Sequence, residues 1–195
     1  YFTALSKLNY GVDTGFYPLG SCTMKYNPKW HEDVALLPGF TSIHPYQPIG
    51  SVQGALQLMF ELQEYLTEIT GMDNTSLAPM AGAQGELASI LMVKAYHQAR
   101  GDTMRREILV PDSAHGTNPA TAVMCGFEIT TLPSDSEGNI DLKGLKVAMS
   151  EKVAALTLTI PTTLGLFDPQ IMEIRRLVHE RGGLLCGDGA NLNSV

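Results

Sequence analysis

Four short stretches of the sequence carry residues whose types can do chemistry: GAQGE (82–86), PDSAHGTN (111–118), IPTTLGLFD (160–168) and GDGANLN (187–193). The first stretch places Ala83 and Gln84 between glycines at the entrance of a predicted helix. Free backbone N–H groups and the helix dipole favour a phosphate there. A tight turn without a ligand is the alternative.

The other three stretches supply polar side chains. His115 follows a predicted strand and can stack on a ring or move protons near neutral pH, although a loop histidine can also be a surface residue. Asp188 lies in a loop of small residues, so its carboxylate can approach a flat ligand and pair with a cationic ring nitrogen. Capping of loop N–H groups is its alternative role. Thr162 and Thr163 add hydroxyls, which can also serve as buried turn groups.

A phosphate-binding turn, a stacking imidazole, hydroxyls and an acid at the end of a strand together meet the requirements of pyridoxal 5'-phosphate. The sequence lacks the motifs that are typical of other kinds of site. The sequence has no glycine-rich dinucleotide or nucleoside-triphosphate motif, and its histidines and cysteines show no pair at metal-ligand spacing, so we expect no metal. Ser113 and His115 lack the G-x-S-x-G context of a serine nucleophile. Cys22 can be a thiol nucleophile or a small packed residue.

Alternating strands and helices must position these residues. Short apolar runs predict strands at EILVP, EITTLP, VAALTLTIP and LLCGD, the last of them buried over Leu184–Cys186. Helices are predicted from about Gln84 to Arg100, over NPATAVMCG, around Leu142–Met149, and from Asp168 to Gly182. This alternation predicts an α/β domain with a mostly parallel sheet and helices on both faces. Ligands of such sheets bind at the carboxyl ends of the strands, and this rule selects PDSAHGTN, IPTTLGLFD and GDGANLN, each of which follows a predicted strand.

Composition limits the function classes. The formal net charge of −7 disfavours nucleic acid as a partner, and no apolar run approaches the ~20 residues of a membrane helix. Three widely spaced cysteines favour a reducing compartment, and we expect a cytoplasmic protein. Residues 1–49 are predicted to form an irregular arm with short helices that borders the site. Residues 50–195 are predicted to form the ligand-binding domain, beginning with a helix whose apolar residues include Val52, Leu62 and Ile69.

Six stretches also carry a family resemblance: NYGVDTGFYPLGSCTMKYNPK, HPYQP, GAQGE, DSAHGTNPA, TTLGLFD and GGLLCGDGANLN. They resemble the glycine dehydrogenase (decarboxylating) family, the P-proteins of the glycine cleavage system, and most closely its separate subunit 2 form. The resemblance implies the aspartate-aminotransferase-like fold (fold type I), here as an incomplete pyridoxal-phosphate large domain. It also implies decarboxylation of glycine and transfer of the aminomethyl group to the lipoyl arm of the H-protein.

The resemblance further implies site roles and partners. Ala83 and Gln84 would hold the phosphate, His115 would stack on the pyridine ring, Asp188 would pair with its nitrogen, Ala190 would pack on the opposite face, and Thr162 or Thr163 would lie near the phenolic oxygen. The arm around Ser21, Cys22 and Thr23 would border the site. Implied partners are glycine, lipoylated H-protein, P-protein subunit 1 and a second copy, in a heterotetramer-like assembly.

One departure from the family concerns lysine. The family's Schiff-base lysine lies in an HKT-type motif downstream of DGAN, whereas all seven lysines of this chain precede Asp188. We therefore expect the chain to be a fragment, truncated at both ends and inactive alone. The alternative function is a non-catalytic α/β module that binds a phosphate or a nucleotide through GAQGE.

Overall fold

The computed structural model describes residues 1–9 and 28–192, which fall into two compact units. One unit contains residues 28–80, and the other contains residues 1–9 and 81–192. The predicted segment Ser21, Cys22 and Thr23 lies outside the described residues. The predicted boundary at residue 50 between an arm and a ligand-binding domain stays a prediction.

The described part of the first fifty residues contains short helices. Helix α1 spans Phe2–Ser6, α2 spans Lys29–Ala35 and α3 spans Pro38–Thr41. A single 3-10 turn at Ile49–Ser51 follows. The predicted amphipathic helix is α4, Gln53–Thr70, and it ends at Gly71, which adopts the left-handed conformation that glycine accepts readily.

Residues 81–192 form alternating helices and strands: α5 (Gly82–Ala99), β1 (Glu107–Pro111), α6 (Thr117–Met124), β2 (Glu128–Leu132), α7 (Leu142–Ala148), β3 (Val153–Thr159), α8 (Ile171–Glu180) and β4 (Leu184–Asp188). The four strands described form one parallel sheet in the order β2-β1-β3-β4. The predicted alternation and the parallel sheet are confirmed.

The sheet is packed on both faces, because successive strand residues point to opposite sides. On one face, β-strand residues such as Leu109 and Leu156 form a core with Leu145 of α7 and Ile174 of α8. On the other face, Ile108 and other alternate residues pack against α5 and α6 through Ile90, Val93 and Ala122. All seven residues of β3 are buried, because this strand is paired on both edges and its two faces are covered by the two cores.

Two details differ from the sequence predictions. The helix expected to open at Asp168 begins at Ile171, and the Asp168 carboxylate instead accepts hydrogen bonds from the N–H groups of Gln170 and Ile140. The strand predicted over Leu184–Cys186 is present as part of β4, but these three residues are half-buried rather than buried. Among the described strands β4 pairs with β3 alone, which leaves its other edge uncovered.

None of the helices in the described part of the chain combines the length and apolar character that crossing a membrane requires.

Candidate functional site

A cavity of about 380 Å³ lies at the carboxyl end of β4 and beside the first turns of α5. This volume is within the range of small-molecule sites. Its position agrees with the general rule for parallel sheets, in which ligands bind beyond the carboxyl ends of the strands. The cavity is lined by Gly82, Gly85, Glu86, Ser89, Ile90, Asn118, Thr157, Cys186, Gly187, Asp188, Gly189 and Ala190.

Asp188, the last residue of β4, places its carboxylate in this cavity. One oxygen, Oδ2, accepts hydrogen bonds from Asn118 Nδ2 at 3.3 Å and Thr159 Oγ1 at 3.4 Å. The other oxygen, Oδ1, accepts from the backbone N–H of Ala190 at 3.0 Å. The loop-capping role is therefore present in the structure, and the same carboxylate also lines the cavity.

The N-terminus of α5 forms another part of the cavity wall. Its N-cap residue is Ala81, whose side chain has no atom that can accept a hydrogen bond from the first turn. The first N–H groups of a helix lack intrahelical acceptors, and they attract anions. The predicted phosphate residues Ala83 and Gln84 lie in this first turn, between the lining residues Gly82 and Gly85.

Four glycines give the cavity its room. None of Gly82, Gly85, Gly187 and Gly189 is among the described glycines with positive φ, so their backbone does not require glycine. A Cβ atom at Gly82 or Gly85 would meet no heavy atom within 4 Å, and the nearest contacts at Gly187 and Gly189 would be 3.9 Å. Neither backbone conformation nor internal packing explains why these four positions are glycine, whereas close approach of a ligand does.

We expect Gly85→Ala to change stability and binding in opposite directions. Alanine in place of a helical glycine stabilises a helix by about 0.5–1 kcal/mol. The added methyl group takes space from a cavity-filling ligand, so we expect such a ligand, with pyridoxal phosphate as the probe, to bind about fivefold more weakly or worse. Thermal melting and a spectroscopic ligand titration measure the two effects.

The matched control is Gly54→Ala, since Gly54 is also helical with no heavy atom within 4 Å of an added Cβ, and it does not line the cavity. It should raise the melting temperature without changing ligand affinity. Equal ligand affinity of Gly85→Ala and the unchanged protein would show that the ligand does not approach α5 at this point.

Glu86 and Asn118 are lining residues to which the sequence analysis gave no role. Among the described residues, Glu86 Oε2 and Asn118 Oδ1 are buried side-chain oxygens without a hydrogen-bond partner. Burial raises the pKa of Glu86 above its ordinary value, and the negative charge of Asp188 raises it further. A hydrogen bond with Asn118 and the charge of His115 lower it to a smaller extent.

The sequence positions of Glu86 and Asn118 relative to other site residues could have indicated their place in the cavity wall. Glu86 follows Gly82 by four residues and precedes Ile90 by four, so the three share one face of α5. Asn118 lies three residues after His115, at the start of α6.

Cys186 also lines the cavity, and its thiol is partnered with Ser89. Burial raises the pKa of this thiol, while the hydrogen bond with Ser89 acts in the opposite direction. The neutral thiol is therefore favoured, which makes Cys186 a small packing group of the wall rather than a nucleophile.

The predicted site residues are only partly brought together. Asp188 and Ala190 line the cavity, and Ala83 and Gln84 lie at its edge. His115 is not among the lining residues; it is exposed, its Nδ1 accepts from the N–H of Thr117 at 3.2 Å, and its charge acts on Glu86. Its predicted stacking role stays a prediction.

The two predicted threonines lie elsewhere. Thr162 borders a second, mostly apolar cavity of about 110 Å³, and its hydroxyl accepts from the N–H groups of Leu164 and Leu166. Thr163 Oγ1 donates to the carbonyl of Ser113 at 2.6 Å. The hydroxyl that contacts Asp188 belongs to Thr159, which is opposite Asp188 in the pairing of β3 with β4. A role of Thr162 or Thr163 beside a ligand stays a prediction.

Comparison with known proteins gives one family and close relatives. Residues 32–191 match the family described as "Glycine cleavage system P-protein". The chain is 62% identical over 195 residues to a probable glycine dehydrogenase (decarboxylating) subunit 2 of Caldanaerobacter subterraneus, covering 100% of this chain and 40% of that protein. The protein of the same name from Thermococcus kodakarensis is 57% identical, covering 100% of this chain and 39% of that protein. The chain thus spans about 40% of the length of these relatives.

Solved structures show the fold alone, because their sequences have diverged. Oryza sativa TDC, solved with PLP, aligns with a TM-score of 0.67 and 14% identity over 84% of this chain and 41% of its own. A NifS-like protein aligns with a TM-score of 0.64 and 18% identity over 80% of this chain and 43% of its own. The predicted α/β fold of the aspartate-aminotransferase-like class is confirmed.

Proposed function

Because this chain belongs to the glycine cleavage system P-protein family, we propose that its cavity contributes to the pyridoxal 5'-phosphate site of a glycine decarboxylase. The full-length protein would release CO2 from glycine and pass the aminomethyl group to the lipoyl arm of the H-protein. The observation that carries this proposal is the position of Asp188, whose carboxylate lies in the same cavity as the first turns of α5.

The phosphate would bind at the start of α5. The N–H groups of Gly82 and Ala83 favour an anion, whereas the Gln84 N–H donates to the Ala81 carbonyl at 3.0 Å. The absence of side chains at Gly82 and Gly85 lets the anion approach. This fit depends only on backbone groups and on open space. It therefore supports a phosphate without defining the rest of the ligand.

The ring nitrogen would bind at Asp188. A carboxylate beside a protonated ring nitrogen stabilises its positive charge, and the bound cofactor then supplies the sink for the electrons left by departing CO2. Asn118 and Thr159 hold one carboxylate oxygen, and the Ala190 N–H holds the other. These contacts fix the orientation of the acid before any ligand binds.

The lysine and the partner proteins that this reaction needs would not come from the cavity wall described here. No lysine is among the residues of the described chain that line it. The family resemblance implies that the aldehyde-binding lysine lies downstream. It also implies lipoylated H-protein, P-protein subunit 1 and a second copy as partners.

We also propose a cytoplasmic location, which agrees with the free thiols of Cys125 and Cys186.

Labelled glycine tests the proposal directly. The full-length protein, supplied with H-protein and subunit 1, should release labelled CO2 from carboxyl-labelled glycine only when pyridoxal phosphate is present. A full-length protein that stays colourless with added pyridoxal phosphate and releases no CO2 would instead support the non-catalytic phosphate-binding module.

We expect His115→Ala to weaken cofactor binding about tenfold and to slow decarboxylation. A stacked ring contributes roughly 0.5–1.5 kcal/mol beyond its buried area, and loss of proton transfer adds to the effect. A spectroscopic titration and the CO2 assay measure the two quantities. His179→Ala is a matched control, because His179 is an exposed histidine in the last turn of α8 and does not line the cavity. If both variants match the unchanged protein, His115 is an ordinary surface residue.

A further inference from the structure

Three loops meet at the carboxyl edge of the sheet. The β1 loop (112–116) leads from β1 to α6, the β3 loop (160–170) leads from β3 to α8, and the β4 loop (189–192) follows β4. The three strands are parallel neighbours in the order β1-β3-β4, so the loops that follow them lie at the same edge. Side-chain hydrogen bonds connect each of these loops to the next.

Thr163 connects the β3 loop to the β1 loop. Its Oγ1 donates to the carbonyl of Ser113 at 2.6 Å, and the two residues are 50 positions apart in sequence. This distance is that of a well-formed O–H···O hydrogen bond. Ser113 precedes His115 by two residues, and the N–H of Asn118 donates to the His115 carbonyl at 3.0 Å. The contact made by Thr163 therefore restrains the segment that carries His115 and leads into α6.

Asn191 connects the β4 loop to the β3 loop. Its Nδ2 donates to the carbonyl of Pro161 at 3.0 Å and to the carbonyl of Thr162 at 3.3 Å. An amide NH2 group has two N–H donors, so one side chain can serve both carbonyls. The pairing of β3 with β4 ends at Thr159 and Asp188. Asn191 thus continues the connection between these two segments beyond the end of the sheet.

The contact of Asn118 with Asp188 closes the set of connections into a ring. Asn118 Nδ2 at the start of α6 donates to Asp188 Oδ2 at 3.3 Å, which joins α6 to the residue that begins the β4 loop. The ring then passes through Asn191 to the β3 loop and through Thr163 to the β1 loop, which leads back to Asn118. Each loop is therefore held from two directions, and members of such a network support one another.

We propose that Thr163 and Asn191 are positioning residues of the cofactor site, which close this ring and thereby hold His115 and Asp188 at a fixed separation. The inference rests on the proposed function and adds two residues to it. Neither side chain has to touch the ligand, because both act through backbone carbonyls of neighbouring loops. Loops that are ordered in advance lose less conformational freedom when the cofactor binds, so the ring raises cofactor affinity.

Hydrogen exchange of the full-length apoprotein tests the ring without the cofactor. Thr163→Val removes the donor and keeps the shape of the side chain, and the exposed position of Thr163 leaves the core unchanged. We expect amide exchange in the β1 loop to become about fivefold faster, the effect of losing one net hydrogen bond. Exchange in the β4 loop should also become faster, because an opened ring releases its far side. Unchanged exchange in the β4 loop would overturn the proposal.

Two further variants serve as controls for this experiment. Thr163→Ser keeps the hydroxyl and should restore slow exchange in both loops. Thr130→Val removes a hydroxyl that donates to Glu107, away from the ring and outside the cavity wall, so both loops should exchange as in the unchanged protein. Faster exchange of the two loops in Thr130→Val, equal to that in Thr163→Val, would overturn the proposal, because it would show a general loss of stability.

Cofactor affinity tests whether the two residues act as one device. In the full-length apoprotein titrated with pyridoxal phosphate, Thr163→Val and Asn191→Leu should each weaken binding about fivefold. The double variant should bind about as weakly as either single variant, because a ring that is already open cannot be opened again. Losses that multiply to about 25-fold would overturn the proposal, since they would show two independent contacts.

The proposed function fails by a different result. A full-length protein that neither binds pyridoxal phosphate nor releases CO2 from glycine would contradict the function. The exchange experiment contains no cofactor, so it would still show whether Thr163 and Asn191 hold the three loops together.

Discussion

Replacement of Asp188 by asparagine is expected to lower decarboxylation of glycine by the full-length protein about 100-fold or more, the scale of losing one preorganised electrostatic group. A neutral amide supports the charge of a protonated ring nitrogen poorly. The asparagine oxygen can still accept the hydrogen bond from the Ala190 N–H, so the loop should keep its conformation. The measurements are labelled CO2 release at saturating glycine and cofactor, and circular dichroism for the fold.

Asp141→Asn is the matched control for this change. Asp141 is the N-cap of α7 and accepts hydrogen bonds from the N–H groups of Lys143 and Gly144. Asparagine caps helices about as well as aspartate, so stability and turnover should stay close to those of the unchanged protein. Turnover of Asp188→Asn near that of the control would reduce Asp188 to a residue that only caps its own loop.

Leu156→Ala is expected to cause the largest loss of stability, about 2–5 kcal/mol in the free energy of unfolding. Leu156 lies in the middle of β3 with no exposed surface, in the core that also contains Leu109, Ile174 and Val178. Truncation removes apolar contacts on a strand that is paired on both edges, so the structure can close the resulting cavity only partly. Urea unfolding and thermal melting of the full-length protein measure the effect.

Leu91→Ala makes the same chemical change at a position on α5 that is 48% exposed. It should alter the free energy of unfolding by about 0.5 kcal/mol or less. Losses of equal size in the two variants would contradict the packing of β3 at the centre of the sheet.

Much of the fold could be predicted because its signals are local. Strands such as EILVP are short apolar runs, and some helices carry a clear end signal, such as Gly101 after α5. The half-buried state of β4 could not be predicted in this way. An apolar run shows that a strand is packed, but not whether a neighbouring strand covers its second edge.

Site residues could be predicted where the residue type and its position indicate a chemical role, as for the acid Asp188 at the end of a strand. The partners of Asp188 were not, because they are set by tertiary contacts. Asn118 is 70 residues and Thr159 is 29 residues distant in sequence. Thr162 and Thr163 were more conspicuous in the sequence, whereas Thr159 contacts Asp188 because of the strand register. Glu86 gives no comparable signal in the sequence, because its burial and its closeness to the charge of Asp188 are set by the fold.

The central position of β3 has a consequence for local unfolding. Cooperative units with many buried contacts open only when the whole domain unfolds, whereas exposed segments open at much lower cost. β3 is buried along its length, while β4 is half-buried and the loop at Gly189 and Ala190 is exposed. Asp188 is tied to this buried strand by the hydroxyl of Thr159 and to α6 by the amide of Asn118. Through Thr159 the acid is therefore anchored to a segment that opens only at high cost, which keeps its carboxylate in place when more exposed segments open.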